Sequence, residues 1–131
     1  MREYQISTLF GLPIVNAVIS GPKGARQVNL LFDTGAALTQ FHLPTLTTLG
    51  YGFHGRTADV ALRGVKGPAE PGYSLRLNRV SIFGKMFRQT AAAAFNLGEW
   101  AEEGLDGLLG FDIIQKLHLE MDGPRNILRI V

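Results

Sequence analysis

The chain has 131 residues, no cysteine and a formal net charge of +2, from 13 basic and 11 acidic side chains. With 46% hydrophobic and 18% charged residues, it has the composition of a globular protein and not of a disordered one. The lack of cysteine excludes disulfides and thiolate metal sites, and the scattered Lys and Arg argue against nucleic-acid binding. We therefore expect a single domain over residues 1–131, a cytoplasmic location and no visible membrane anchor.

The first third of the sequence predicts a β-hairpin. Residues 14–19 are rich in β-branched side chains, and residues 27–32 form a second, largely apolar run. Gly21-Pro22-Lys23-Gly24 lies between them and has the composition of a turn. The two runs are expected to pair, and the second one ends at Asp33-Thr34-Gly35.

Asp33-Thr34-Gly35 places an ionisable group at the mouth of an apolar strand. A carboxylate in such a tight turn is held rigidly and is partly desolvated, and these conditions favour an Asp that acts as a general acid or base. Gly35 can take backbone conformations that are closed to other residues, so the turn can approach another backbone closely. An Asx turn after a strand gives the same pattern without any catalysis.

The middle of the chain predicts more β structure. Residues 39–43 are expected to form a strand and residues 45–49 a helical turn. Short runs that suit strands follow at residues 57–62, 73–77, 80–87 and 90–95, and the last two are expected to form a second hairpin. Strands at this spacing indicate an all-β barrel or sandwich.

The last third of the chain predicts a short helix and a closing hairpin. Leu108-Leu109-Gly110 precedes the helix, which is expected over residues 113–117 with Asp112 as its N-cap. Residues 119–122 and 126–131 are expected to pair around Gly123-Pro124. Trp100 suits either the edge of the core or the wall of a binding cleft.

Asp33-Thr34-Gly35-Ala36 followed by Leu108-Leu109-Gly110 and a helix resembles the retropepsin-like aspartic proteases, which have one lobe. The chain is too short for the two-lobed pepsin arrangement. The resemblance implies an all-β fold, namely a closed β-barrel of the acid protease type with one short C-terminal helix. Ala37 and Phe111 stand where many viral members have an Asp–Arg pair, so we expect a cellular, bacterial-type member.

The resemblance also implies which residues form the site. Asp33 is expected to hold the attacking water, Thr34 to join the two active-site loops and Gly35 to anchor the substrate backbone. A flap over residues 64–72 is expected to close on the substrate. The substrate-binding residues that the resemblance implies are Ala36, Gly64, Val65, Lys66, Gly67, Leu108 and Leu109. It implies neither a metal nor another cofactor.

One Asp-Thr-Gly supplies only one of the two carboxylates that this chemistry needs. The resemblance therefore implies a homodimer that cleaves polypeptides at a site on its two-fold axis, with the terminal strand over residues 127–131 as an interface element. Two other interpretations are open. In the first, the chain is a non-catalytic retropepsin-like module for dimerisation or peptide binding. In the second, it is an unrelated small β-barrel with a chance Asp-Thr-Gly.

Overall fold

The computed structural model describes residues 2–62 and 70–131, and these residues are mostly β-strand. The strands are β1 (Arg2–Gln5), β2 (Ser7–Leu9), β3 (Leu12–Gly21), β4 (Gly24–Phe32), β5 (Gln40–His42), β6 (Val60–Leu62), β7 (Glu70–Ile82), β8 (Lys85–Phe95), β9 (Gly107–Leu109), β10 (Leu119–Asp122) and β11 (Ile127–Ile130). The helices are α1 (Leu43–Thr48), α2 (Glu99–Glu102) and α3 (Phe111–Ile114). The predicted mostly β fold is confirmed, and helices lie near the helical turn predicted at residues 45–49 and the short helix predicted near the C-terminus.

Two sheets are present in the described residues. The larger has the strand order β2-β3-β4-β9-β5-β8-β7-β6, with an additional pairing of β3 with β7. The smaller has the order β1-β11-β10. Most neighbouring strands are antiparallel, but β4 runs parallel to β9 and β5 runs parallel to β8. These parallel pairs bring distant parts of the chain together beside the end of β4.

The predicted hairpin in the first third is confirmed. Strands β3 and β4 are antiparallel, and Gly21 lies opposite Gly24 across the turn. Alternate residues of both strands are buried, so one face of the hairpin packs on the core while the other is more exposed. This packing fixes the direction in which β4 delivers Asp33.

The second hairpin turns at a different place from the one predicted. The runs 73–77 and 80–82 form one continuous strand, β7, and Ile82 lies opposite Lys85 in β8. The two residues between them, Phe83 and Gly84, have φ angles of 52° and 73°. A positive φ is costly for Phe. The Phe83 ring is 6% exposed and packs edge-on against Tyr4 at 5.2 Å, which offsets that cost.

The closing hairpin of β10 and β11 is confirmed, but β11 also pairs with β1. Strand β11 is therefore the middle strand of the smaller sheet, and both of its hydrogen-bonding edges are used within the chain. It cannot accept a strand from a second copy through backbone hydrogen bonds. That residues 127–131 are an interface element stays a prediction, and for β11 any such contact would be made by side chains.

The third helix begins earlier than predicted. Helix α3 covers Phe111–Ile114 with Gly110 as its N-cap, so Asp112 lies inside the first turn and not at the cap. Its carboxylate contacts Thr39 instead. None of the helices in the described ranges is long and apolar enough to cross a membrane.

The core joins the larger sheet to α1, α3 and β11. Its largest fully buried apolar side chains are Phe41, Ile19, Leu30, Leu46, Leu77, Leu109, Ile113, Leu128, Val15, Val28 and Val80. Because β4, β5 and β9 each contribute to this list, the strands around Asp33 are anchored in the best-packed part of the molecule.

Candidate active site

The two predicted motif segments lie side by side. In the parallel pairing of β4 with β9, Leu31 is opposite Leu108 and Phe32 is opposite Leu109. The Asp33 backbone N–H continues this ladder and donates to the Leu109 carbonyl at 3.0 Å. Asp33 is thus held at the end of two core strands, where its position is set by the ladder.

Asp33 is half-buried and begins a tight turn. Its Oδ1 accepts a hydrogen bond from the Gly35 N–H at 2.9 Å, and its carbonyl accepts one from the Ala36 N–H at 3.2 Å. This is the local bonding expected of an Asx turn. No donor among the described residues contacts Oδ2, so this oxygen is available to a water molecule or a substrate. Thr34 is exposed at the tip of the turn.

A buried network connects the end of this loop to α3. The Thr39 N–H donates to both oxygens of Asp112, at 3.0 and 3.1 Å, and the Thr39 hydroxyl donates to Asp112 Oδ1 at 2.7 Å. The same hydroxyl oxygen accepts from the Gly110 N–H at 3.0 Å. Thr39 is completely buried, so these bonds are shielded from water. The network fixes the distance between the Asp33 loop and Gly110.

The close backbone approach expected at Gly35 occurs at Gly110. The φ angle of Gly35 lies outside the positive range, and a Cβ there would contact only Asp33 Oδ1, at 3.2 Å. A Cβ on Gly110 would lie 2.7 Å from the Leu38 carbonyl carbon and 2.9 Å from the Ala36 oxygen. Within one chain it is therefore the later glycine that packs against the loop backbone, and a close approach of Gly35 to a second copy stays a prediction.

A cavity of about 520 Å³ opens beside Asp33. Its lining residues are Asp33, Gly35, Ala36, Ala37, Leu38, Gln40, Val60, Ala61, Ala93, Phe95 and Leu108. Asp33 and Gln40 are the two polar side chains of this lining, and the others are glycine or apolar. A mostly apolar cavity with a few polar groups is typical of a binding site.

The predicted substrate-binding residues divide into three groups. Ala36 and Leu108 line the cavity. Leu109 does not, because it is 0% exposed and belongs to the core. The remaining ones lie outside the described residues: Gly64, Val65, Lys66 and Gly67. Trp100 packs against Phe10 at 6.0 Å and is not among the residues that line the cavity.

Sequence reasoning missed several lining residues, among them Gln40, Val60 and Phe95. Most are apolar residues of ordinary strands, and their sequence pattern does not distinguish a cavity wall from a core. Gln40 is different, because it is a polar residue beside Phe41 in the short strand that the sequence predicts at residues 39–43. That signal was present in the sequence.

The four other aspartates have partners of their own. Asp59 bonds Ser74, Asp106 accepts from the Asn29 N–H at 2.8 Å, and Asp122 accepts from Arg129 at 3.2 Å. Asp112 binds Thr39, as described above. In residues 2–62 and 70–131, no group of three or more metal-binding side chains is arranged to hold a metal ion. Asp33 is thus distinguished by a carboxylate that faces the cavity.

Two titratable side chains near the site have shifted pKa values. Hydrogen bonds from the Ser74 hydroxyl and N–H lower the pKa of Asp59. The same bonds hold the start of β6 against β7. Burial lowers the pKa of His42, and the nearby Asp106 acts in the opposite direction. The His42 Nδ1 accepts a hydrogen bond from the Leu97 N–H at 3.1 Å, which requires that nitrogen to be unprotonated.

Comparison with known families identifies residues 15–113 with a family model described as aspartyl protease. This match covers most of the chain and includes Asp33, the lining residues and Gly110. No curated protein sequence matches the chain.

Solved structures share the fold. The crystal structure of a retropepsin-like aspartic protease from Rickettsia conorii superposes with a TM-score of 0.72 at 17% identity, over 98% of this chain and 89% of that one. The retroviral protease-like domain of Ddi1 from Leishmania major gives a TM-score of 0.59 at 20% identity, over 91% of this chain and 87% of that one. At these identities the likeness shows a retropepsin-like fold.

Proposed function

The chain belongs to the aspartyl protease family, and we propose that it is a retropepsin-type aspartic endopeptidase that hydrolyses peptide bonds in polypeptides. The observation that carries the proposal is the Asp33 carboxylate. It stands at the end of a core strand, lines a cavity of about 520 Å³ and has one oxygen without a donor from the described residues. The other aspartates are engaged in contacts within the chain.

The chemistry needs a second carboxylate, and we propose that it is Asp33 of another copy. The cavity lining contains no other acidic residue in the described part of the chain. Two carboxylates at close range share one proton, because two like charges so near each other are unfavourable. The charged one takes a proton from water, which attacks the peptide carbonyl carbon, while the protonated one donates to the carbonyl oxygen. The C–N bond then breaks and the leaving amine takes up a proton.

Two further features belong to this proposal. We propose that the larger sheet closes into a barrel, and the pairing of β3 with β7 supports this because these strands are far apart in the sheet order. We also propose that Gly64, Val65, Lys66 and Gly67 contact the substrate. The position of this segment in the chain supports this second proposal. The segment follows β6, and Val60 and Ala61 of β6 line the cavity.

The test is cleavage of a peptide library by the wild type and by Asp33→Asn. Asn has nearly the same shape but cannot accept the proton from water, so cleavage is expected to fall below detection while the thermal unfolding curve is unchanged. Asp122→Asn, in the smaller sheet, is the matched control and is expected to cleave like the wild type. Equal cleavage by Asp33→Asn would contradict the proposal. Peptide binding without cleavage by the wild type would support the non-catalytic module instead.

A further inference from the structure

Gln40 is a buried polar residue in the wall of the cavity. In β5 it lies opposite Ala93 of β8 and opposite Leu108 of β9, and both of these residues line the cavity. Residues that are opposite each other in a sheet point to the same face. The Gln40 side chain therefore lies on the cavity face, whereas the next residue, Phe41, points into the core.

The amide of Gln40 is not satisfied within the described residues. Gln40 is 6% exposed, and its Oε1 is buried without a hydrogen-bond partner in that part of the chain. A buried polar atom without a partner is unfavourable, and its presence in a folded protein needs an explanation. An apolar residue at this position would continue the surface made by Ala93, Phe95 and Leu108. A ligand that bonds the amide is the explanation that its place in the cavity suggests.

We propose that Gln40 selects substrates that carry an uncharged polar side chain, above all the carboxamide of Asn or Gln, near the scissile bond. This inference rests on the proposed function. A carboxamide offers one acceptor and two donors, which complement the same groups on Gln40. The last side-chain torsion of glutamine is broad, so the amide can turn to present its oxygen or its nitrogen to a bound substrate.

The place of Gln40 in the sheet sets which substrate residue it reaches. Gln40 is opposite Leu108, which is opposite Leu31, and Asp33 follows Leu31 by two residues. Two strand spacings and two residues along a strand place the Cα atoms of Gln40 and Asp33 roughly 12 Å apart. An extended substrate advances about 3.4 Å per residue, so a separation of roughly 12 Å places the selected side chain about three to four residues from the scissile bond.

The test compares matched peptides that differ only at that position, Asn against Leu and Gln against Met. The wild type is expected to cleave the amide-containing peptides with a kcat/KM about tenfold higher. In Gln40→Met the ratio is expected to fall to about one, and the variant is expected to unfold at a higher temperature because the unpaired amide is gone. Gln27→Met, on an exposed stretch of β4, is the control and is expected to keep the wild-type ratio. An unchanged ratio in Gln40→Met would overturn the proposal.

A second measurement separates this proposal from the proposed function. Binding of the same peptides is measured with Asp33→Asn, alone and combined with Gln40→Met, by fluorescence polarisation. If the wild type cleaves none of the peptides but Gln40→Met removes a preference for bound amides, the protease proposal fails and the role of Gln40 stands. If Asp33→Asn shows no preference between the matched peptides and the wild type cleaves them at equal rates, Gln40 is not a specificity residue.

Discussion

Among single residues, Thr39 and Asp112 determine the shape of the candidate site without lining it. Their network reaches Gly110 and holds the Asp33 loop against α3. Thr39 is fully buried, so the loss of its hydroxyl leaves the Gly110 N–H without a partner. A buried donor without a partner costs more than the mean value of a hydrogen bond.

Thr39→Val is therefore expected to lower the free energy of unfolding by about 1–3 kcal/mol. Val has nearly the same shape as Thr, so the change in the free energy of unfolding measures the contribution of the hydroxyl group. Thr90→Val makes the same change at a 7% exposed position whose Oγ1 has no partner in the described residues, and it is expected to be neutral or stabilising. Urea denaturation of both variants measures the difference. Equal effects would show that the Thr39 network does not stabilise the fold.

His42 gives a prediction about pH. Burial lowers its pKa in the folded chain from the usual histidine value of about 6.5, so the unfolded chain binds the proton more tightly. Stability from this group is therefore fully present above about pH 6.5 and is lost as pH falls toward the folded pKa. His42→Asn keeps an acceptor near the Leu97 N–H but does not titrate. We expect the wild type to lose more unfolding free energy than this variant between pH 7 and pH 5, as measured by urea denaturation. An equal loss in the two proteins would rule out the role of His42.

Among the elements, the approach of α3 to the Asp33 loop depends on a glycine. Gly110→Ala places a Cβ within 2.9 Å of three backbone atoms of that loop. It is expected to destabilise the fold by about 3 kcal/mol, since backbone cannot move aside as a side chain can. Gly52→Ala is the control, because no atom lies within 4 Å of a Cβ there and the residue is not at positive φ. Comparable chemical denaturation curves for the two variants would contradict this account of the packing.

The elements that could be predicted from the sequence have strong local signals. The hairpin that delivers Asp33 follows from two apolar runs around Gly21-Pro22-Lys23-Gly24, and the closing hairpin follows from Gly123-Pro124. Asp33-Thr34-Gly35 stands out because an acidic residue and a glycine follow an apolar run, and the resemblance to the retropepsin-like family then indicates Leu108-Leu109-Gly110. Local signals of this kind do not depend on the rest of the fold.

The structural features that could not be predicted from the sequence depend on packing between residues that are distant in the chain. The turn at Phe83 needs the Tyr4 ring to offset a positive φ, and no local pattern shows that contact. Asp112 has the spacing of an N-cap, but Thr39, distant in sequence, determines its actual contact. Likewise, β11 becomes a middle strand only because β1 folds back on it. Much of the cavity wall has the same origin, because it forms where strands from several regions meet.

For the whole molecule, the arrangement of the strands limits how two copies can associate. Strand β11 is paired on both sides, so its backbone is not free to pair with a strand of a second copy. Phe111 is 47% exposed, and its N–H donates to the Ala36 carbonyl at 2.7 Å, beside the Asp33 turn. If two Asp33 residues meet on a two-fold axis, this exposed ring lies near the axis. We therefore expect a dimer interface on the Asp33 side of the molecule.

We propose that one active site contains Asp33 from two copies, and mixing the wild type with Asp33→Asn tests this. The wild-type concentration is held constant while the variant is added under conditions that allow exchange of subunits, and Asp122→Asn is added in a parallel control. Because a mixed dimer has only one Asp33, cleavage per wild-type chain is expected to fall to about half at equal amounts and to about a quarter at a threefold excess. The control should show no such fall. Cleavage per wild-type chain that does not change with added Asp33→Asn would contradict the claim and assign the activity to a single chain.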